Sequence, residues 1–189
     1  VTYVRGAEFA GGKPYFIPLL PENDYLPELD KIDPAIADAA KLIWVNYPNN
    51  PLSATAPLSF CEELVSFAKA HDILVCADAA YSQVYYGEEK PPSILQVAGA
   101  KDVAIEFNSL SKSHNMAGWR VGAAVGNPST LEKLLKLKTN ADSGHFGPTL
   151  EAASHAMGTE ASWIQARNAI YRERRDIILS ALHEMDVQV

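Results

Sequence analysis

Four apolar runs punctuate the chain: LIWVNY (42–47), ILVCADA (73–79), VAIEFNS (103–109) and RVGAAVG (120–126). The first three are almost continuously apolar rather than alternating. Strands covered on both faces read this way, as in a parallel or mixed sheet between helices. Helical periodicity fills the spaces between the runs. In PLSFCEELVSFAKAHD (57–72) apolar residues fall at 60, 64, 67 and 68, and Pro57 suits a first helical turn. LEKLLKLK (131–138) follows NPST, where Ser129 or Thr130 is placed to cap a helix. From about Glu160 to Met185 a long amphipathic stretch sets Trp163, Ala166, Ile170, Ile177, Ala181 and Met185 on one side. The opening differs. GGKPYFIPLLPENDYLPELDKIDPAI is rich in proline and acid, with one predicted strand, PYFIPL.

This order predicts an α/β fold, a three-layer sandwich with a mostly parallel sheet and helices on both faces. Residues 1–158 are expected to form part of one large domain. Residues 159–189 are expected to form a long helix leading toward a smaller domain outside the chain. The abrupt start, and the final helix with no strand after it, read as part of a larger fold.

Composition narrows the picture without redrawing it. The 189 residues are enough for one domain with a substantial core, and 48% apolar with 21% charged residues is ordinary for a soluble globular chain. Sixteen basic and 23 acidic residues give a net charge of −7, which argues against a nucleic-acid partner. No apolar stretch is long enough for a membrane span, and VTYVRGAEFAGG lacks the pattern of a signal peptide. Cys61 and Cys76 have no CxxC spacing, so they read as reduced, buried thiols of a cytoplasmic protein. The histidines show no ligand spacing, and no metal site is expected.

Candidate chemistry collects where the strands end. In α/β sheets, sites form at the carboxyl ends of parallel strands. NYPNNP (46–51), DAAYS (78–82) and NSLSK (108–112) each follow an apolar run, so all three open onto one sheet edge. Singly, each has an ordinary explanation. Asp78 can cap the segment after it, and Asn50 in PNNP can serve turn geometry. The lysine of SLSK can belong to a polar surface loop. Together they invite a ligand. Ser109 and Ser111 are short hydroxyl donors and Arg120 is a forked cation, a combination suited to a phosphate. A neighbouring cation and partial burial favour the neutral, nucleophilic form of a lysine such as Lys112. Such an amine condenses with an aldehyde. Pyridoxal phosphate is the aldehyde cofactor that carries a phosphate. Its ring nitrogen wants an acid, which Asp78 supplies, and its phenolic oxygen wants donors, which Asn50 and Tyr81 supply.

The order NYPNNP, DAAY, SLSK, Arg120 resembles the large domain of the class I/II (fold-type I) pyridoxal-phosphate aminotransferases. KPYFIPLLPEN, KPPSILQVAGAKDVAIEFNSLSKSHNMAGWRVGAAVGN and LKTNADSGHF are most similar to the LL-diaminopimelate and aspartate aminotransferase-like branch. The resemblance implies a Schiff base on Lys112, which then shuttles protons. It implies Asp78 on the pyridinium nitrogen, Tyr81 and Asn50 on the phenolic oxygen, and Ser109, Ser111 and Arg120 on the phosphate. It also implies a cis Asn50–Pro51 bond and a homodimer approached by the loop 139–146.

The activity implied is amino transfer from an amino acid to a 2-oxo acid by a ping-pong route. LL-diaminopimelate with 2-oxoglutarate is the first substrate pair, aspartate or alanine the next. The same residues would serve a C–S β-lyase, and a non-catalytic fragment or cofactor-sensing regulatory domain is the third reading. The sequence departs from the family at NNPLSA, where Leu52 and Ser53 replace Thr-Gly and remove a glycine from a tight turn. In the family, a phosphate loop and a stacking aromatic come from upstream, and a carboxylate-clamping arginine comes from downstream.

Elsewhere the ordinary readings prevail. Gly11-Gly12-Lys13 lacks a phosphate-loop frame and reads as a turn. Arg172, Arg174 and Arg175 read as a solvated helix face, Trp119 as packing, and His114 as a peripheral or exposed histidine.

Overall fold

The computed structural model describes residues 2–187. Val1, Gln188 and Val189, at the outer ends of the two expected segments, lie outside the described residues. The four apolar runs become four strands: β1 (Leu42–Asn46), β2 (Leu74–Asp78), β3 (Ala104–Ser109) and β4 (Gly122–Gly126). They form one sheet in the order β1-β2-β3-β4. The first three run parallel, and β4 runs antiparallel to β3. The sheet is therefore mixed.

Register explains the two faces. Ile43, Val75 and Ala104 lie in one cross-strand row, with Val45 and Ala77 two residues further on. This face packs on α3 (Leu58–Ala70) through Phe60, Cys61, Leu64, Val65 and Ala68. Leu64 and Val75 are among the largest fully buried side chains. The connection from β2 to β3 crosses with short 3-10 turns instead of a long helix, and buries Ile94 and Ala100 in the same core. On the opposite face Trp44, Cys76 and Ile105 share a row. There α1 (Thr2–Phe9) lays Tyr3 against Trp44 with ring centroids 4.5 Å apart.

β4 approaches β3 closely because its ends are glycines. At Gly126 (φ +144°) a Cβ would stand 2.3 Å from the Ala104 carbonyl oxygen, and at Gly122 one would stand 2.6 Å from that of Asn108. The chain then enters α5 (Pro128–Ala141), α6 (Gly147–Met157) and α7 (Ala161–Glu184). Ala153 of α6 packs with Leu110 and Val121 in a second, smaller cluster. A six-residue helix, α2 (Pro34–Ala39), precedes β1. No described helix is long and apolar enough to cross a membrane.

Several local expectations are corrected. PYFIPL is not a strand. Pro14 and Pro18 lack the N–H a ladder needs, and Tyr15 and Phe16 are exposed rather than packed. α5 begins at Pro128, and its cap is Asn127, whose side chain accepts from the Thr130 N–H (2.8 Å), not Ser129 or Thr130. Pro57 stands at the cap of α3 rather than inside its first turn. The stripe drawn on α7 is exposed throughout, whereas Ile164, Arg167 and Asn168 are buried. Trp119 is 51% exposed and does not serve the core.

Cys61 and Cys76 are free and buried, as their spacing implied. Burial, aided for Cys61 by Glu106, pushes both thiols up from 9.0 to about 11. The unfolded chain ionises first, so the thiols' contribution is intact below pH about 9 and is lost as pH rises through about 11. Tyr47, pushed up to about 12 by burial, acts in the same sense at higher pH. The urea midpoint is expected to fall across that window. A Cys61→Ala, Cys76→Ala variant is expected to fall less steeply.

Candidate active site

The carboxyl ends of β1, β2 and β3 stand side by side because the strands are parallel and in register: Asn46 pairs with Asp78, and Asp78 with Phe107. Asn46 ties two of these ends together. Its amide donates to the Asp78 carbonyl (2.9 Å), and its carbonyl oxygen accepts from the Asn50 N–H (3.0 Å). The Asn50–Pro51 bond is cis, as is Tyr47–Pro48. The turn missing its glycine is nonetheless made. Ser53 takes a left-handed conformation (φ 59°) and donates its N–H to the Asn49 carbonyl (2.9 Å). A side-chain residue in that region is disfavoured relative to glycine, and the surrounding turn bonds hold it there.

Asn50 donates its amide to the Tyr81 hydroxyl at 3.0 Å. The Lys112 ammonium lies 5.9 Å from the centroid of the Tyr81 ring. Asn50, Tyr81 and Lys112 thus come from three strand ends to one place. Asp78 is half-buried, and one carboxylate oxygen accepts from the Ala80 N–H (3.2 Å). The other accepts from the phenol of Tyr3. Burial and the Asp78 carboxylate together push the Tyr3 phenol well above the usual tyrosine range. A cleft of about 520 Å³ lies between α1 and the strand ends, lined by Tyr3, Trp44, Asp78, Phe107 and Ser109. Trp44 and Phe107 stack at 5.4 Å and give it an aromatic floor.

The lysine turn is short. α4 (Leu110–Ser113) follows β3 directly, with Ser109 at its cap accepting from the Ser111 N–H (3.2 Å). Leu110 buries its side chain against Val121 and donates its N–H to the Val121 carbonyl (3.1 Å). The β3–β4 ladder ends at the Ser109–Gly122 pair, and Arg120 lies two residues before Gly122 in the turn that leads into β4. The guanidinium of Arg120 donates to the Ala117 carbonyl (2.9 Å), and its backbone is left-handed (φ 55°). The His145 Nε2–H donates to the Arg120 carbonyl (3.1 Å), which draws the 142–146 loop to the phosphate-suited edge. The expected partial burial of Lys112 is not found: it is exposed, as is Arg120.

Sequence reasoning missed three contributors. Tyr3 lay in a segment with no strand-end signal. Asn46 carried one, as the polar residue closing β1, and was passed over for the asparagines after it. Arg167 carries no sequence signal of its own, yet it is 5% exposed and reaches the backbone of Lys112 (3.2 Å). No group of three or more histidine, cysteine, aspartate or glutamate side chains suited to a metal occurs among the described residues.

The fold and this edge define an α/β protein that presents a lysine, a carboxylate, a phenol and an amide together at one end of its sheet. The chain belongs to the aminotransferase class I and II family, whose family model matches residues 1–189. It is 50% identical over 188 residues to the LL-diaminopimelate aminotransferase of Aquifex aeolicus, covering 100% of this chain and 49% of that protein. It is 52% identical to LL-diaminopimelate aminotransferase 2 of Trichormus variabilis, covering 97% of this chain and 47% of the relative. Substrate-bound BacF from Bacillus subtilis superposes with a TM-score of 0.93 at 38% identity, covering 97% of this chain and 46% of that one. The chain spans about half the length of the curated relatives it matches.

Proposed function

We propose that the whole protein carrying this chain is a pyridoxal-phosphate-dependent aminotransferase that moves an amino group from LL-diaminopimelate to 2-oxoglutarate. The observation that carries the reading is the convergence of Lys112, Tyr81 and Asn50 at one sheet edge beside Asp78. The relatives named above supply the substrate class.

The donor set fits the cofactor. Asp78 offers a carboxylate already braced by Ala80 and Tyr3, so its orientation is set before a cationic ring nitrogen meets it. Tyr81 and Asn50 form a joined pair of polar groups for a phenolate oxygen. Ser109 and Ser111 of the lysine turn and Arg120 just before β4 would supply hydroxyls and a guanidinium for a phosphate. The bound cofactor would supply an aldehyde that links amines reversibly and a ring that draws electrons from the α-carbon. Lys112 contributes the nucleophilic amine. With the cofactor bound, the same Nζ would be the base that holds and moves the proton during amino transfer. Tyr81 and Asn50 would hold the phenolic edge in place, and Asp78 would keep a proton on the ring nitrogen.

Residues 1–158 would then be part of the large cofactor-binding domain, and 159–189 the helix leading toward a smaller one. A cytoplasmic homodimer completes the proposal. Free buried thiols suit a reducing compartment, and exposed Phe16 and Phe146 suit an interface.

The test uses the full chain encoded by the gene, saturated with pyridoxal phosphate. Glutamate formation from LL-diaminopimelate and 2-oxoglutarate is expected to exceed that from aspartate or alanine in kcat/KM. Release of pyruvate and ammonia from a cysteine conjugate without any 2-oxo acid would instead assign a lyase.

A further inference from the structure

Arg167 carries an unexplained charge. It is 5% exposed, and no carboxylate pairs with it among the described residues. A guanidinium taken out of water costs several kcal/mol unless its donors are well satisfied. Its partners are chiefly backbone carbonyls. One terminal nitrogen donates to the carbonyls of Lys112 (3.2 Å) and Ser113. The other donates to the carbonyl of Gln83 and to the side-chain oxygen of Asn168 (2.8 Å). Asn168 returns its own amide to the same Gln83 carbonyl (3.0 Å). Only Nε has no partner.

These carbonyls are not arbitrary. Lys112 and Ser113 end α4, and helix ends leave carbonyls without internal partners. A cation there satisfies them and suits the local dipole of the turn. Gln83 lies two residues after Tyr81. One side chain of α7 therefore grips the segment that carries the lysine and the segment that carries the phenol. Aromatic groups fix the grip. The guanidinium lies 5.7 Å from the rings of both Trp163 and Tyr171. Trp163 stacks on His114 at 5.7 Å, and Tyr171 donates to the Asn115 side chain (2.9 Å). His114, the neighbour of Ser113, is held below the usual histidine range by burial and by Arg167.

We propose that Arg167 is a positioning residue for Lys112, setting the distance and orientation between the lysine amine and the Tyr81 phenol from behind the site. This rests on the reading of Lys112 as the group that condenses with a carbonyl cofactor. Leu110 and Ser113 bury one side of α4, and the Arg167 guanidinium holds the carbonyls at its end. Without the clamp, the exposed Lys112 side chain would start from a backbone free to shift, and misplacement of about 1 Å can cost about a hundredfold in rate.

The experiment is the rate at which added pyridoxal phosphate becomes fixed to Lys112 in the full chain. It is read by borohydride trapping and peptide mass, for wild type, Arg167→Met and Arg167→Lys, each scaled to the folded fraction by circular dichroism. Arg167→Met is expected to trap about tenfold or more slowly. Arg167→Lys, which keeps the charge and can still reach one carbonyl, is expected to recover part of the loss. The pH midpoint of the visible band is expected to move upward in Arg167→Met, because a removed cation no longer disfavours the protonated bond, and to stay in Arg167→Lys. Trapping in Arg167→Met at the wild-type rate per folded molecule would overturn the proposal. Should Arg167→Met fail to fold, the Lys variant decides: wild-type trapping in it, together with an unmoved rate in Asn168→Ala, would also overturn it. Failure of wild type to trap at Lys112 at all would overturn the cofactor reading itself, a distinct result.

Discussion

Lys112→Ala in the full chain, supplied with excess pyridoxal phosphate, is expected to lose the visible cofactor band and borohydride-resistant labelling. Amino transfer is expected to fall by roughly a thousandfold or more. The size follows from the kind of group removed. A nucleophile that also moves the proton has no substitute within reach, and such deletions cost far more than the loss of one supporting contact. The fold should barely notice. Lys112 is exposed, and among the described residues its ammonium makes no hydrogen bond or ion pair. Exposed substitutions of that kind change stability by about 0.5 kcal/mol or less. Unfolding midpoints within that margin, beside a vanished band, would tie the loss to chemistry. A variant that kept the band and labelled another lysine would remove Lys112 from the role.

Asp78→Asn is expected to have the second largest effect. Asparagine preserves the shape and can still accept from the Ala80 N–H. It cannot carry the negative charge that holds a proton on a cationic ring nitrogen. The electron-withdrawing capacity of a bound cofactor depends on that proton, so rates of α-proton removal should drop by about 10²- to 10³-fold. Single-turnover kinetics with the amino acid alone measure this directly. A second sign accompanies it. The phenol of Tyr3 is pushed up first by burial and then by its bond to Asp78 and that group's charge. Without the charge, the Tyr3 phenol should ionise at lower pH, and ultraviolet titration of the variant would show the shift. Rates within about twofold of wild type would mean that Asp78 serves only the β2 turn.

The two variants test different distances from the reacting atoms, and the Arg167 variant tests a third. In the proposed mechanism Lys112 would react, Asp78 would set the charge beside the ring, and Arg167 would hold the backbone from which Lys112 extends. The helix α7 does not pack by the apolar stripe expected of it; it buries Ile164, Arg167 and Asn168, and its polar and aromatic contacts reach the turn after Lys112. Arg167 links α7 to the carbonyls of Lys112 and Gln83.

The four strands, their order along the chain and the residues at their carboxyl ends were legible in the sequence, and the reason is physical. Runs such as ILVCADA bury both faces, so their polar terminus stands out against an apolar body, and parallel strands deliver such termini to one edge. Local order also fixed the lysine turn, since Ser109 caps the helix that Lys112 occupies. Tertiary structure alone decided the rest. PYFIPL has the apolar content of a strand, but no neighbour offers it a ladder. The apolar side of α7 follows helical periodicity, which marks a face without naming what covers it. Tyr3 reaches Asp78 across 75 residues, and Arg167 reaches Lys112 across 55. A side chain that works through a distant backbone carbonyl leaves no pattern in its own neighbourhood, because every residue has that carbonyl to offer.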